Sequence, residues 1–349
     1  MSHDTLSDVL RSVRLRGAVF YYVSGGHDWV AEARPSRDIA AAVMPDSEHV
    51  MEYHVITRGS CWGAIVGEAP VRLETGDIVL FPHGDAHVIS SAPGLRASTD
   101  TQDDEESKVE QLPFTLHYDA AEVRAEVVPD EHSETTLVCG FLGCDVRPFN
   151  PLIATLPRLL HLRKTENHDL TAQFMRQAVA ESKNKRPGGE AMLERMSEMM
   201  FVDAVRRYVD TLPEDSRGWL AGLRDRFVGR ALALMHDAPA TEWTVDELGR
   251  RVGLSRSALH ERFAEMIGQP PMQYLANWRM QVAAALLRDT NATVASVALD
   301  VGYDSEAAFV RAFKRVVGKP PATWRREKAL RARSTRGAGK PSPAVVEVK

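Results

Sequence analysis

The chain has few cysteines and no long apolar segment, and both absences narrow the class of protein. Only three of its 349 residues are cysteine, namely Cys61, Cys139 and Cys144, which is too few for the disulfide framework of a secreted domain. The first residues are polar, and no run reaches the ~20 apolar residues of a membrane helix or the apolar core of a signal peptide. We therefore expect a cytoplasmic protein without a membrane partner.

The motifs of common enzyme classes are also missing. The sequence has no nucleophile with a base at a motif spacing and no glycine-rich loop of the kind that binds phosphate. Hydrophobic residues make up 44% of the chain and charged residues 26%, a composition typical of a globular protein of two or three domains. Enzymatic function is not expected, apart from one metal-dependent alternative described below.

The last third of the chain contains one pattern twice. The first copy begins at Thr244 and has its turn at Gly253, and the second begins at Thr293 and has its turn at Gly302. The two glycines are 49 positions apart, and in each copy an apolar-periodic stretch lies on either side of the glycine. An internal repeat of this kind indicates two copies of one supersecondary unit.

Each copy has the features of a helix-turn-helix unit. Glycine tolerates the positive φ of a tight turn, and Ser255 and Ser305 stand where the N-caps of the second helices are expected. Thr244 and Glu247 match a capping box. Residues 272–288 contain no proline or glycine and predict one connecting helix of ~25 Å. Such a helix can place the two second helices near adjacent major grooves, ~34 Å apart.

Residues 240–326 resemble the C-terminal DNA-binding domain of AraC-type bacterial transcription regulators. The resemblance is densest in VASVALDVGYDSEAAFVRAFK, residues 294–314. It implies sequence-specific binding to double-stranded promoter DNA, with RNA polymerase as a further partner. Charge agrees, because residues 229–349 carry a net charge of +7 whereas the remaining residues carry −12, and a basic region can displace counterions from phosphates.

The residues at the start of each second helix, including the N-caps Ser255 and Ser305, are the candidates for contact with DNA. Those predicted to face base edges are Ser257, His260, Glu261, Glu306, Ala307 and Arg311. Those predicted to meet phosphates are Arg256, Arg262, Lys314 and Arg315. Arg311 stands out because a guanidinium can pair bidentately with guanine. The alternative for each is a solvated helix face. The residues assigned to the core are Leu248, Leu259, Phe263, Val297, Phe309, Phe313 and Trp324.

The first half of the chain predicts a small antiparallel barrel or jelly roll. After a short amphipathic helix, β-branched or aromatic stretches alternate with Gly, Pro and Asp turns. Residues 76–87, GDIVLFPHGDAH, resemble the second sequence motif of the cupin barrel. The first motif is only partly present, since Glu52 precedes Gly59 by seven positions but the usual paired histidines are absent and Ser91 replaces the usual asparagine.

Residues 6–162 resemble the sensing domain of one AraC-type subgroup, through the Gly59 turn and the strand that contains Cys139. In such a barrel His54, His87 and Cys139 can point inward. Two imidazoles and a thiolate suit a borderline divalent ion such as zinc. The alternative is that both histidines are hydrogen-bonded core residues and Cys139 is a small buried hydrophobe.

Two other hypotheses concern what the barrel senses. Cys61 or Cys139 can act in redox sensing if a neighbour lowers the pKa of its thiol. An unmodified organic effector in the barrel is the other hypothesis. The enzyme alternative is a metal-dependent, dioxygenase-like cupin tethered to DNA, in which Glu52 completes a site with His54 and His87, because positions 52 and 54 face the same side of a strand.

The predicted fold class is α+β, with a cupin-like β-barrel, a helical connector and an all-α double helix-turn-helix domain. The expected boundaries are 1–162 for the sensing domain, 163–226 for the connector, 227–328 for the DNA-binding domain and 329–349 for a disordered tail. An acidic run at residues 100–110 is expected to be a loop. The connector has an apolar stripe formed by Met192, Leu193, Met196, Met199, Met200 and Val205. The stripe either packs on its own barrel or joins a second subunit in a homodimer.

Overall fold

The computed structural model describes residues 3–97, 114–119, 122–126, 133–165, 169–183 and 186–337. The chain forms two compact units. One, here called the helical unit, contains Met1–Arg14, Asp145–Thr155 and Val209–Gly337. The other, here called the barrel unit, contains Leu15–Cys144 and Leu156–Tyr208. The acidic run predicted at 100–110 lies outside the described residues.

The barrel unit consists of two sheets and three helices. Its strands are β1 (Arg16–Gly25), β2 (Val30–Ala33), β3 (His49–Arg58), β4 (Ser60–Ile65), β5 (Val71–Glu74), β6 (Ile78–Phe81), β7 (His87–Ser90), β8 (Phe114–Asp119), β9 (Glu122–Glu126), β10 (Thr135–Cys144) and β11 (Leu160–Leu162). Helix α1 (Thr5–Ser12) precedes them in the chain and belongs to the helical unit. The helices of the barrel unit are α2 (Ser36–Val43), α3 (Asp169–Lys183) and α4 (Gly189–Thr211).

The larger sheet has the strand order β11-β6-β3-β10-β1-β8-β9, and the smaller has the order β2-β7-β4-β5. All pairs are antiparallel except β1 with β8. Alternating side chains of β3 and β10 point into a shared apolar core. The register places Cys139 opposite His54, so two predicted site residues are cross-strand neighbours. The predicted cupin-like sheet region is confirmed.

The helical unit contains the repeated pattern. Its further helices are α5 (Trp219–Arg224), α6 (Val228–Asp237), α7 (Val245–Val252), α8 (Arg256–Ile267), α9 (Pro271–Asp289), α10 (Val294–Asp300), α11 (Glu306–Val317) and α12 (Pro321–Gly337). A short 3-10 turn, Ile153–Thr155, belongs to the same unit. The two helix-turn-helix copies are α7 with α8 and α10 with α11, and α9 is the predicted connecting helix. No helix among the described residues is long and apolar enough to cross a membrane.

The helix starts follow the predicted capping. The hydroxyls of Ser255 and Ser305 each accept a hydrogen bond from a backbone N–H three residues later, both at 3.3 Å. Thr244 caps α7 in the same way, but the Glu247 carboxylate pairs with Arg250 and Arg251. Only half of the predicted capping box is therefore seen. All seven residues assigned to the core are buried.

The C-terminal end differs from the expected disordered tail. Helix α12 continues to Gly337, whereas disorder was predicted from residue 329 onward. The segment AlaLeuArgAlaArg at 329–333 consists of strong helix formers, which the basic composition of the tail had obscured. Residues 338–349 lie outside the described part.

Candidate functional site

Three buried donors converge inside the barrel unit. The Nε2 atoms of His54 and His87 are 2.8 Å apart. The Glu52 carboxylate oxygens lie 4.0 Å from Nε2 of His54 and 3.7 Å from Nε2 of His87. Glu52 and His54 share a face of β3 because they are two positions apart, and His87 begins β7. The three side chains can therefore hold one metal ion.

Burial sets the protonation of this cluster. It raises the pKa of Glu52 to about 7, although a hydrogen bond from Tyr21 opposes the rise. It lowers the pKa of His54 well below the ordinary value, with His87 as a second cause, and lowers the pKa of His87 to about 4. Both imidazoles are therefore neutral near pH 7, which is the form in which histidine binds a metal.

The hydrogen bonding of Glu52 leaves one atom unpartnered. Its Oε1 accepts from Tyr21 at 2.8 Å, whereas Oε2 has no hydrogen-bond partner among the described residues. An unpartnered buried polar atom costs ~1–3 kcal/mol, so a native structure seldom retains one without a reason. A cation at this point would satisfy Oε2. Two imidazole nitrogens and a carboxylate oxygen form a donor set suited to zinc and other borderline ions.

Cys139 lies on the other side of the His54 ring. Its sulfur is 2.9 Å from Nδ1 of His54, and so it does not join the point where the two Nε2 atoms meet. The backbone carbonyl of Asp85 occupies the equivalent position, 3.0 Å from Nδ1 of His87. Partners of this kind fix the tautomer and orientation of a histidine ligand. Cys139 therefore contacts a candidate ligand, His54, but is not itself placed to bind the ion.

The cysteine environments disfavour thiolate chemistry. Burial raises the pKa of Cys139 well above its ordinary value and that of Cys61 to about 12. All three cysteines are free and buried. Reactive thiols have lowered pKa values and are partly exposed, so neither Cys61 nor Cys139 has the surroundings of a redox sensor.

The cavity beside the cluster is small. Its volume is about 30 Å³, and its wall includes Tyr21, Tyr118 and Leu137 together with the three donors. One water molecule needs roughly 10–15 Å³, whereas pockets for drug-sized molecules measure roughly 300–1,000 Å³. A space of this volume suits an ion with a water molecule better than a large organic effector.

The predicted DNA-contacting side chains form the outer faces of α8 and α11. Those that are exposed are Ser255, Arg256, Ser257, His260, Glu261, Arg262, Ser305, Glu306, Ala307, Arg311, Lys314 and Arg315. Arg262 is engaged within the unit, since its Nε lies 3.0 Å from Asp225 and its guanidinium lies over the Phe227 ring. Arg311 and Lys314 make no ion pair with any residue that the structure describes. Those two side chains are therefore available to DNA.

Segments that flank the barrel strands also lie in the helical unit. The buried side chain of Gln281 on α9 donates to the carbonyl of Ser12 and accepts from the N–H of Phe149, both at 3.0 Å. Asp145, the residue after β10, accepts from Arg288 at 2.8 Å and faces Lys328 at 3.4 Å. These contacts fasten α1 and residues 145–155 to α9 and α12.

Several of these residues were not predicted from the sequence. Tyr21 bonds Glu52 from 31 positions away, which no sequence motif indicates. Asp85 lies within the motif at residues 76–87, but its contact with His87 is made by its backbone carbonyl, which a motif of residue types does not show. Glu52 was assigned only to the enzyme alternative. The alternation of positions 52 and 54 along β3 was the one signal that could have joined it to the candidate metal site.

Family models match both parts of the chain. Residues 4–210 match the model described as Cupin, and residues 248–327 match the model described as Helix-turn-helix domain. An AraC-like transcription regulator of Streptomyces lividans is 31% identical over 329 residues, which are 94% of this chain and 99% of the relative. The HTH-type transcriptional regulator AlkR of Acinetobacter baylyi is 25% identical over 93% of this chain and 99% of its own length.

A solved structure is similar to the C-terminal part. The DNA-binding domain of AdpA, in complex with a target DNA, is 30% identical and covers 33% of this chain and 99% of that domain, with a TM-score of 0.30.

Proposed function

This chain belongs to the AraC-type transcription regulators with an N-terminal cupin domain, and from that premise we propose that a metal ion in its barrel modulates its binding to promoter DNA. The chain is a DNA-binding regulator, and its named relatives give no support to a tethered dioxygenase. The observation that carries the metal proposal is the convergence of His54, His87 and Glu52 around an unpartnered carboxylate oxygen.

Glu52, His54 and His87 would hold the ion, with zinc as the first candidate. The ion would supply positive charge at a point where the chain offers only acceptors and neutral imidazoles. Cys139 and the carbonyl of Asp85 would keep the two rings oriented. The cavity volume favours this signal over an organic effector, and the raised thiol pKa values favour it over oxidation of Cys61 or Cys139.

The route from barrel to DNA runs along the chain itself. Strand β10 carries Cys139, and the residue after that strand, Asp145, is bound within the helical unit by Arg288. A change in the strand would therefore bias the region that bears α8 and α11. The output would appear as altered promoter occupancy or altered contact with RNA polymerase in the cytoplasm.

The metal proposal predicts about one ion per chain in protein purified without chelator. Elemental analysis should show that His54→Ala, His87→Ala and Glu52→Ala each remove it, since each loses one of three ligands. Cys139→Ala should retain the ion and bind it about 10–100-fold more weakly, as expected for a partner behind a ligand. Chelation of the wild type should change promoter occupancy.

His83→Ala is the matched control for this series. His83 lies in the same sequence motif, but its Nε2 bonds the carbonyl of Leu156 outside the cluster, so the ion content should not change. Wild-type protein that lacks metal and shows no thermal shift with added zinc would contradict the proposal.

Two basic residues on α11, Arg311 and Lys314, test the DNA side of the proposal. Arg311→Ala should cost about 1–3 kcal/mol of binding and relax base preference at one position, because a bidentate base contact is lost. Lys314→Ala should weaken binding to all sequences and reduce the salt slope by about one. Competition binding with base-substituted duplexes at several salt concentrations measures both. An Arg311→Ala variant that weakens all duplexes equally would show that Arg311 meets phosphate instead.

A further inference from the structure

Arg279, in the middle of α9, joins the loop that precedes the first helix-turn-helix copy to the turn of the second copy. Its Nε donates to the carbonyl of Pro239 at 2.7 Å and one terminal nitrogen donates to that of Thr241 at 2.9 Å. Both carbonyls belong to the loop that leads into α7. The other terminal nitrogen donates to the carbonyl of Gly302 at 3.3 Å. Gly302 lies in the turn of the second copy, so one guanidinium binds both the loop before the first copy and the turn of the second copy.

The turn of the second copy rests directly on that loop. A Cβ atom added at Gly302 would lie 2.5 Å from the carbonyl oxygen of Ala240 and 2.8 Å from its Cα. At Gly253, the equivalent turn of the first copy, an added Cβ would meet nothing within 4 Å. Both glycines have positive φ, +80° and +88°. The close approach is therefore a property of the second turn alone.

The copies have separate apolar cores on different parts of α9. The second copy packs around Met280 and Leu287, in a cluster that, over the described residues, includes none from α7 or α8. The first copy packs against the start of α9, where the rings of Phe263 and Tyr274 lie 5.7 Å apart. Apolar packing thus fixes each copy to α9, and Arg279 and the Gly302 turn link the second copy to the loop that leads into the first.

The chemistry of Arg279 suits this role. It is half buried, and its guanidinium lies 5.9 Å from the centre of the Tyr303 ring. Arginine presents five N–H donors in a planar fork, whereas a lysine ammonium is a single point charge. Three carbonyls in fixed directions therefore require arginine. Loss of the fork would leave these carbonyls without their donors and would loosen the loop that leads into α7 from the turn of the second copy.

We propose that Arg279 is a positioning residue for DNA recognition, which sets the separation of α8 and α11 and hence the spacing of the half-sites that one chain accepts. The inference rests on DNA binding through both helices, as proposed above. Two helices in successive major grooves fit half-sites about one helical turn apart. A rigid junction would make that spacing a strict requirement.

The test uses the full-length protein and its spacing preference. Sites selected from a random duplex library give the two-part motif, and Kd is then measured with the half-sites moved closer or farther by one or two base pairs. For the wild type we expect about a tenfold loss per base pair of displacement. For Arg279→Ala we expect affinity at the best spacing to fall about tenfold. At the other spacings we expect Kd to change little. Arg279→Lys should match Arg279→Ala.

Two glycine variants keep the test decisive if Arg279→Ala fails to fold. Gly302→Ala pushes the turn away from Ala240, whereas Gly253→Ala adds the same positive-φ strain without a contact. Only Gly302→Ala should flatten the spacing profile. If Arg279→Ala and Gly302→Ala both keep the wild-type spacing profile, the role of Arg279 is overturned, whereas DNA binding through both helices is not affected. If the wild type selects a motif with only one part, one chain does not bind two successive major grooves, and both that premise and the role of Arg279 are overturned.

Discussion

Asp145→Ala is expected to lower the free energy of unfolding of the helical unit by about 3 kcal/mol, because breaking a buried ion pair leaves an uncompensated charge. The Asp145 side chain is 3% exposed, and its carboxylate bonds Arg288, itself 10% exposed. Lys328, also 10% exposed, faces the other oxygen. Without the carboxylate, Arg288 would keep only the exposed Asp289 as an acidic partner among the described residues, and the largely buried Lys328 would still lie close to it. Urea unfolding of the full-length protein, followed by tryptophan fluorescence, gives the change.

Asp289→Ala is the matched control for this prediction. Asp289 pairs with the same arginine, Arg288, at 2.8 Å, but its side chain is 58% exposed. Exposed pairs contribute about 0–1 kcal/mol, so the control should unfold almost as the wild type does. Equal losses in the two variants would show that Arg288 is solvated and that burial of Asp145 contributes little.

The second prediction concerns self-association through α4. Met192 and Met199 are 46% and 54% exposed, whereas Leu193, Met200 and Val205 are buried within the barrel unit. The predicted stripe therefore divides into a core side and an exposed side. We propose that the exposed side pairs with the same helix of a second copy.

Met192→Glu combined with Met199→Glu should halve the mass measured by light scattering. The two carboxylates would lie on an apolar contact, where an unpaired charge is costly, and the far-ultraviolet circular dichroism should not change because both side chains are exposed in one chain. Ala191→Glu adds a charge to the same helix beside the stripe and should leave the mass unchanged. A monomeric wild type, or a double variant of unchanged mass, would rule out this face.

The helical unit could be predicted from sequence because its determinants are local. Helix period, a turn glycine and a serine N-cap all lie within about 20 residues of one another, and the pattern occurs twice. The buried positions of Phe309 and Phe313 follow from the same period. Tertiary contacts here stabilise what the local sequence already favours.

The cluster of Glu52, His54 and His87 was predicted only in part, because strand register decides which side chains meet. His54 and His87 were named, but Glu52 was assigned to another hypothesis. The sequence predicts Cys139 as a third ligand, but in the structure its sulfur faces Nδ1 of His54. Alternation along a strand tells which face a side chain occupies. It does not tell which ring nitrogen a cross-strand neighbour will meet, since pairing such as that of β3 with β10 is non-local.

Arg279 was missed for a related reason. Its partners are backbone carbonyls 40, 38 and 23 positions away, and a carbonyl carries no residue identity for a sequence pattern to show. On a helical wheel the residue is one more cation on a half-exposed face. Gly302 was predicted as a turn residue, yet its contact with Ala240 could not be distinguished from the open surroundings of Gly253.

The Gln281 contact with Ser12 has a consequence for the order of events during synthesis. The two residues are 269 positions apart, and at ~5–20 residues per second a ribosome needs on the order of 10–50 seconds to cover that distance. Helix α1 is thus made well before its partner on α9. The barrel strands emerge in between. The helical unit can therefore be completed only after the barrel strands have left the ribosome. Until then, α1 cannot make its contact with α9.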